Sequence, residues 1–402
     1  MSNLRRGMMA AAGAAGGVIE YQLWSWGQTD YGAAMQGDAV QRCSPVQVGD
    51  TFIGELDLAT DGMNAIQNRI ASGSYSSAVV KGDGTLWTCG QNSNGTLGVG
   101  DLTNRSSPVQ VGSLTDWRSV TISNDVMLAT KTDGTLWSWG YRYTNFAAGA
   151  GSGAANVSSP VQVGTDTDWS YVIQSNGSGV AASGLKTDGE LWQWGTSDGH
   201  WQQGSETYTT YTPTQIGDKY YDYVGSCGDV SYGIEKDTGK LWAWGLGSNG
   251  VLGQGDTTSQ SSPVQIGVAT DWAWANGGRI KQMMFSNTAG ELWGLGHNGD
   301  GSFGLTNTVQ YSSPVQLGGP GGWASGGHGN YDTGCHGITD TNGDNTGGAL
   351  WWIGGQFGDG APGTGESDGG SSPIQVGTDT DWLCLNPQGI DKSAVKLAIK
   401  KA

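Results

Sequence analysis

A five-residue segment, Leu-Trp-x-Trp-Gly or a close variant, recurs seven times, starting at Leu23, Leu86, Leu136, Leu191, Leu241, Leu292 and Leu350. A second segment, Ser-Pro-Val-Gln-Val-Gly or a variant, follows each by 22 to 24 residues, with its proline at Pro45, Pro108, Pro160, Pro213, Pro263, Pro314 and Pro373. Successive leucines are 50 to 63 residues apart. Self-similarity at such a period marks an array of supersecondary units, each too small to bury its apolar face alone and stacked on its neighbours. A third element, an aromatic usually preceded by Asp, recurs at Trp117, Trp169, Tyr223, Trp272, Trp323 and Trp382.

Each element reads as a strand. In Leu136-Trp137-Ser138-Trp139-Gly140 the tryptophans are two apart and share a face, while Leu136 points the other way, as in a strand covered on both sides. Pro108 opens a strand where its missing N–H is tolerated, and Val109 and Val111 alternate behind it. Asp83-Gly84, Asp133-Gly134 and Asp188-Gly189, with looser versions at Gly239, Gly290 and Gly348, predict type I′ hairpins into the Leu-Trp strands that follow. The strand around Leu23 has no complete upstream partner, and the terminal SAVKLAIK of 393–400 is similar to Asp125 to Lys131. The expected fold class is all-β: a seven-bladed β-propeller closed by pairing of the N- and C-terminal strands in one blade, which leaves no long open sheet edge. Residues 19–402 form the propeller in this reading, and residues 1–18 a Gly/Ala-rich arm.

The full unit, D-G-x-L-W-x-W-G-x-N-x-x-G-x-L-G-x-G followed by a proline strand, is best developed from Asp83 to Pro108 and from Lys240 to Pro263. It resembles the repeat of the regulator of chromosome condensation (RCC1) family, over nearly the whole chain. The resemblance implies a propeller that works by binding: the founding member is a nucleotide exchange factor that also docks on chromatin, through basic segments this chain lacks. A secreted bacterial β-lactamase inhibitory protein is similar in fold and binds its target through aromatic-rich loops on one rim. The opening MSNLRRGMMAAAGAAGG, joined to Gly- and Trp-rich repeats, is similar to short repeat proteins of this family encoded by tailed bacteriophages.

A net charge of −17 with 19 Lys plus Arg argues against binding a phosphate backbone, so nucleic acid is not an expected partner. Charged residues are 14% of the chain, against about 25% in a typical domain, which suits an outward-facing or assembled protein. No apolar run approaches the roughly 18 residues that span a bilayer, so membrane insertion is not expected. The opening 17 residues are Ala and Gly rather than Leu or Val, unlike a secretory signal. Five cysteines, an odd number with no C-x-x-C pair, read as small buried hydrophobes.

The four histidines, His200, His297, His328 and His336, form no metal-binding spacing, although Cys335 adjoins the last of them. Asp340 to Asn345 has the alternating oxygens of a calcium loop but lacks its sixth-position Gly and twelfth-position Glu, so it reads as an Asx-rich turn. No nucleophile elbow is present in a strand-to-helix context, and neither enzymatic activity, a cofactor nor a metal is expected. The binding candidates lie where the repeat departs from its own pattern. They are Tyr143 and Phe146 after Tyr141 in the third repeat, and Trp201, Tyr208 and Tyr211 in a connection spanning Ser197 to Tyr211 in the fourth. An insertion at about Thr51 to Ser72 is another contact element, and Arg5, Arg6, Met8 and Met9 are the assembly residues of the arm.

The expected function is a non-enzymatic structural or adhesive virion component, in a tailed-phage tail or on a capsid surface. It would be located in the virion or extracellularly, with other virion proteins or a host-surface protein or glycan as partners. The alternative is a soluble cytoplasmic propeller, inhibitor-like or exchange-factor-like, that binds a protein through one rim.

Overall fold

Period-two alternation with punctuating Gly and Pro yields antiparallel sheets of short strands in the computed structural model. It describes residues 19–27, 30–49, 52–56, 66–73, 75–123, 125–141, 149, 155–175, 181–197, 208–278, 282–299, 301–328, 334–340, 347–354, 370–385 and 396–402. The arm expected at residues 1–18, with Arg5, Arg6, Met8 and Met9, lies outside the described residues.

The strands are β1 (Ile19–Gly27), β2 (Arg42–Gln47) and β3 (Gly54–Leu56), then β4 (Ile70–Ser72), β5 (Ser76–Val80), β6 (Leu86–Gly90) and β7 (Arg105–Gln110). Next come β8 (Trp117–Ser123), β9 (Val126–Lys131), β10 (Leu136–Gly140) and β11 (Val157–Val163). The middle of the chain supplies β12 (Trp169–Gln174), β13 (Ala181–Lys186), β14 (Glu190–Ser197), β15 (Tyr208–Cys227), β16 (Val230–Glu235), β17 (Leu241–Gly245) and β18 (Gln260–Gln265). Then follow β19 (Trp272–Gly277), β20 (Gln282–Asn287), β21 (Leu292–Gly296), β22 (Tyr311–Gln316), β23 (Trp323–His328), β24 (Gly334–Thr339), β25 (Ala349–Gly354), β26 (Gly370–Gln375), β27 (Trp382–Leu385) and β28 (Lys396–Lys401). Four sheets are consecutive four-strand arrays, β4–β7, β8–β11, β19–β22 and β23–β26. A seven-stranded sheet runs from β12 to β18, and its long β15 ends one four-strand unit and begins the next. The remaining sheet has the order β2-β1-β28-β27, with β3 also pairing β1, so the last strand of the chain lies between β1 and β27. Its register sets Leu23 opposite Ile399 and Trp24 opposite Ala398.

Adjacent units pack mainly through their first strands: β8 on β4, β12 on β8, β15 on β12, β19 on β15, β23 on β19 and β27 on β23, while β28 meets β4. The repeat Trp and Leu side chains fill these interfaces. Leu136 and Trp139 are fully buried on opposite sides of β10, in different core clusters. At three junctions among the described residues the third-to-fourth-strand connection straps one unit to the next. Gly100 N donates to Ser158 O (2.7 Å), Gly37 N to Ser106 O (3.0 Å) and Gly255 N to Ser312 O (2.7 Å). Gly98, at φ +71°, lets the strap close on the Trp139 indole, whose Nε1 donates to Thr96 O at 2.8 Å.

Two expectations change at the turns. The Asp-Gly hairpins are three-residue loops rather than type I′ turns: Gly134 N bonds Lys131 O, Lys131 N bonds Thr135 O, and only Gly134 needs positive φ (+78°). A type I′ loop has two residues, both left-handed, and the extra threonine here removes that requirement. The repeat aromatic in β15 is Tyr221, not Tyr223: Tyr221 N bonds Gly189 O just as Trp169 N bonds Gly134 O. The connection from Ile216 to Tyr221 is one residue shorter than that from Val163 to Trp169, which displaces the count.

An ion pair with an enclosed lysine and half-exposed carboxylates recurs beside the tryptophans. Lys186, 4% exposed, bonds Asp166 (2.7 Å) and Asp168, and its Nζ lies 4.2 Å from the Trp169 ring centre. Lys131 with Asp116, and Lys400 with Asp379 and Asp381, repeat the arrangement. In the fifth repeat the charges are exchanged: Glu235 occupies the lysine position opposite Tyr221, and Lys219 from the preceding connection pairs with it at 3.3 Å. The cation still faces the ring, 4.0 Å from Trp242. Reversal with the attraction retained marks this as a packing device, in which aromatic faces and carboxylates compensate a desolvated ammonium.

Lys396 breaks the pattern. It stands opposite Trp26 in β1, the position that Met127 takes opposite Trp139, and it is 2% exposed. Burial pushes its ammonium down to about 8, with Cys335 acting weakly in the other direction. Because the unfolded chain binds this proton up to about pH 10.4 and the folded chain releases it near 8, stability must rise with pH through that window. Lys396→Met is expected to flatten that pH dependence, by removing the titrating group. Denaturant unfolding at pH 7 and 9.5 checks this, since the rise in stability between the two should shrink in the variant.

Candidate functional site

The connections between third and fourth strands leave the same end of each sheet as the turns between first and second strands, so together they form one rim. At the junction of the second and third repeats this rim is polar. Asn94 Nδ2 donates to Asp125 Oδ2 at 2.8 Å, Thr96 Oγ1 to Asp125 O at 3.1 Å, and Asn156 Nδ2 to Asn94 Oδ1 at 3.1 Å. Burial raises the Asp125 carboxyl above its ordinary range, against the lowering effect of the Asn94 bond.

At the junction of the first and second repeats the equivalent positions hold tyrosines. Gly27 to Asp38 aligns with Gly90 to Asp101, which puts Tyr31 where Asn94 stands. Tyr75 O accepts from Gln91 N as Asp125 O accepts from Tyr141 N, which puts Tyr75 where Asp125 stands. The two rings meet edge to face at 5.5 Å and are 47% and 36% exposed. Tyr31 holds a left-handed backbone (φ 58°, ψ 12°). Asn249 adopts the same conformation at the matching position of the fifth repeat (φ 62°), where its short polar side chain tolerates it. An exposed aromatic in a conformation that costs energy, at a position the fold fills elsewhere with Asn, has the character of a binding group.

Of the residues singled out from the sequence, Tyr143, Phe146 and Trp201 lie outside the described residues. The strands flanking them, β10 and β11 and β14 and β15, open their connections onto the same rim as Tyr31. Tyr208 and Tyr211 are not in a connection. They belong to β15, which extends the hairpin with β14 through the pairs Ser197 with Tyr208 and Gly195 with Thr210. The run Tyr-Thr-Thr-Tyr-Thr, β-branched and aromatic throughout, favours strand over loop. Tyr211 is 42% exposed there. Within the insertion at Thr51 to Ser72, β3 edges the first sheet against β1, residues 57–65 lie outside the described residues, and Gln67 turns inward.

Gln67 Nε2 and Asn276 Nδ2 both donate to Gly326 O (3.1 and 2.6 Å), beside a void of about 20 Å³ lined by Tyr223, Trp274 and Ala324, room for about one water. His336 is buried between Trp26 and Trp352, with ring centres 5.4 and 4.8 Å away, and Cys335 Sγ contacts Met284 Sδ. Among the described residues no group of three or more His, Cys, Asp and Glu side chains is placed to hold a metal ion. Residues 341–346, most of the Asx-rich segment after Asp340, lie outside the described residues. Cys89, Cys335 and Cys384 are buried as expected of small hydrophobes, but Cys43 is exposed, because it precedes Pro45 on β2 at a sheet edge. No helix among the described residues is long and apolar enough to cross a membrane.

Four-strand antiparallel units stacked through tryptophan interfaces, with a loop-built rim, define the protein as a repeat β-propeller. The sequence signature of the regulator of chromosome condensation (RCC1) repeat matches residues 83–129 and 238–282, and a second signature of the same description matches 68–96. The chain carries RCC1 repeats at those residues and has an RCC1-like propeller fold. Prp20p from Saccharomyces cerevisiae superposes with a TM-score of 0.74 at 16% identity, covering 96% of this chain and 93% of its own. Human WBSCR16 superposes with a TM-score of 0.70 at 18% identity, over 95% and 100%. In sequence, the E3 ubiquitin-protein ligase HERC2 of Homo sapiens is 28% identical over 198 residues, 47% of this chain and 4% of that protein. The chain therefore spans a small part of that relative, and the structural likenesses are likenesses of fold.

Proposed function

We propose that the protein is a non-enzymatic binding propeller that presents the rim carrying Tyr31 and Tyr75 to another protein. The tyrosine pair carries the reading. At the junction of the second and third repeats the same two positions hold a satisfied Asn94–Asp125 contact, so the aromatic surface is not required by the fold at this position. Tyrosines are enriched among interface anchors because they add large rigid area at small entropic cost. We keep Tyr143, Phe146 and Trp201 as further candidate contacts on the strength of the sequence alone. Prp20p, described by its binding to Gsp1p and histones, supports protein recognition by such a fold.

In this reading the two units sharing β15 count as two blades, giving seven, and β28 between β1 and β27 holds both chain ends in one of them. Residues 19–402 are the propeller and residues 1–18 an appended arm. The site of action is cytoplasmic, where an exposed thiol such as Cys43 stays reduced. A virion platform has in its favour only the composition and the phage-like opening segment, so the soluble binding module stands first.

Tyr31→Asn separates the role from the fold. It restores the residue the left-handed position prefers and is expected to raise stability by about 1 kcal/mol. It should also weaken binding about tenfold or more, the usual effect of losing an aromatic anchor. Partners recovered with the intact protein from its native cells and quantified by mass spectrometry supply the ligand for that measurement. Unchanged affinity in Tyr31→Asn combined with Tyr75→Ser would remove the rim from consideration.

A further inference from the structure

Five repeats carry a cation over the tryptophan that follows the repeat leucine. The Nζ-to-centre distances are 4.9 Å for Lys400 and Trp24, 5.5 Å for Lys81 and Trp87, and 4.4 Å for Lys131 and Trp137. They are 5.0 Å for Lys186 and Trp192, and 4.0 Å for Lys219 and Trp242. The repeat of β23–β26 differs. Its register sets Thr339, not a lysine, opposite Trp323, and Thr339 Oγ1 accepts from Trp351 Nε1 at 3.0 Å. Pro320 and Gly322 stand three and one residues before Trp323, where Asp166 and Asp168 stand before Trp169. Both halves of the ion pair are thus replaced, and among the described residues no ammonium or guanidinium faces Trp351. The repeat of β19–β22 also lacks the lysine, but there Asn287 takes its place and bonds Glu291 at 2.7 Å.

A groove of about 440 Å³ opens beside Trp351 and Pro320. Trp351, Leu305 and Pro373 form its apolar walls, and Gly318, Gly319 and Pro320, with no long side chain among them, leave the ring uncovered. Its size falls in the range of about 300–1,000 Å³ typical of sites for small ligands or single side chains. We propose that this groove receives a lysine side chain from a basic segment of a partner protein, which supplies in trans the cation that five other repeats carry in cis. An indole face attracts an ammonium through its quadrupole, and the chain's net charge of −17 favours a cationic visitor over an anionic one. None of the lining residues belongs to the tyrosine pair, so this proposal and the rim can fail separately.

The probe is acetyl-Gly-Gly-Lys-Gly-Gly-amide, titrated into the full chain with ¹⁵N-labelled tryptophan. The Trp351 indole signal is assigned by its loss in Trp351→Phe. A saturable shift of that signal is expected, with norleucine and Nε-acetyl-lysine versions of the peptide binding about tenfold more weakly or worse. Thr339→Lys should abolish the response by filling the site from within. Pro320→Asp, at an exposed position where folding is not at stake, should tighten binding severalfold by restoring the missing carboxylate. Equal binding of the norleucine peptide, no saturable shift at tens of millimolar, or a response untouched by both substitutions would overturn the proposal.

Discussion

Removal of residues 396–402 is expected to leave a chain without a cooperative unfolding transition near 37 °C. β28 pairs with β1 on one side and β27 on the other, so its loss exposes two strand edges at once. Its side chains are buried on both faces. Leu397 and Ile399 pack with Leu23, Val79 and Leu383, and Ala398 packs with Trp26 and Trp382. Truncating one such Leu or Ile costs about 2–5 kcal/mol, and the whole stability of a domain is about 5–15 kcal/mol. Loss of the strand therefore consumes most of the margin. Ile399→Ala alone should cost about 2–5 kcal/mol, which keeps the comparison measurable if the truncated chain does not accumulate. Thermal melts followed by near-ultraviolet circular dichroism decide the matter. A truncated chain melting within a few degrees of the intact one would mean that the chain ends do not hold each other.

Trp139→Ala should be the most damaging single substitution at the interface of the second and third repeats, at about 3–5 kcal/mol. Trp139 is fully buried, packs on Trp117 at 6.0 Å, and donates the indole bond that anchors the strap at Thr96. Its removal leaves a cavity and an unsatisfied carbonyl together. Gly98→Ala attacks the same contact from the other side. The new Cβ would lie 2.6 Å from Trp139 Nε1, at a φ of +71° that L-residues resist. Val268→Ala, at a position 94% exposed, should change stability by less than about 0.5 kcal/mol. Guanidinium unfolding of the three variants gives the order directly, and a Trp139→Ala cost near that of Val268→Ala would refute the interface account.

The strands were legible in the sequence because their physics is local. Two tryptophans two apart, a leucine between neighbouring units and a proline opening the next strand need no tertiary knowledge to be read. The turns are not legible from Asp-Gly alone, because Thr132 adds a third residue and removes the need for a second left-handed position. Tyr223 was chosen over Tyr221 because a one-residue deletion in a connection is invisible until backbone pairing fixes the register. Tyr208 and Tyr211 depart from the repeat without leaving regular structure, because the departing residues are themselves strand formers.

Tyr31 is legible in the sequence. Aligning Gly27 to Asp38 with Gly90 to Asp101 sets an aromatic at an Asn position, a signal as strong as any insertion. Its partner Tyr75 was not readable, since only the backbone bond to Gln91 shows that it matches Asp125. The groove at Trp351 likewise required the strand register, which assigns Thr339 rather than Asp340 to the lysine position.

Site-specific photo-crosslinking tests the central claim most directly. A benzophenone-bearing phenylalanine is placed at position 31 in one sample and at position 268, on the opposite rim, in another, and each protein is irradiated in extracts of its native cells. The tyrosine-rim account predicts one dominant protein adduct from position 31 and none from position 268. Adducts from position 268 alone, or the same set from both positions, would contradict it.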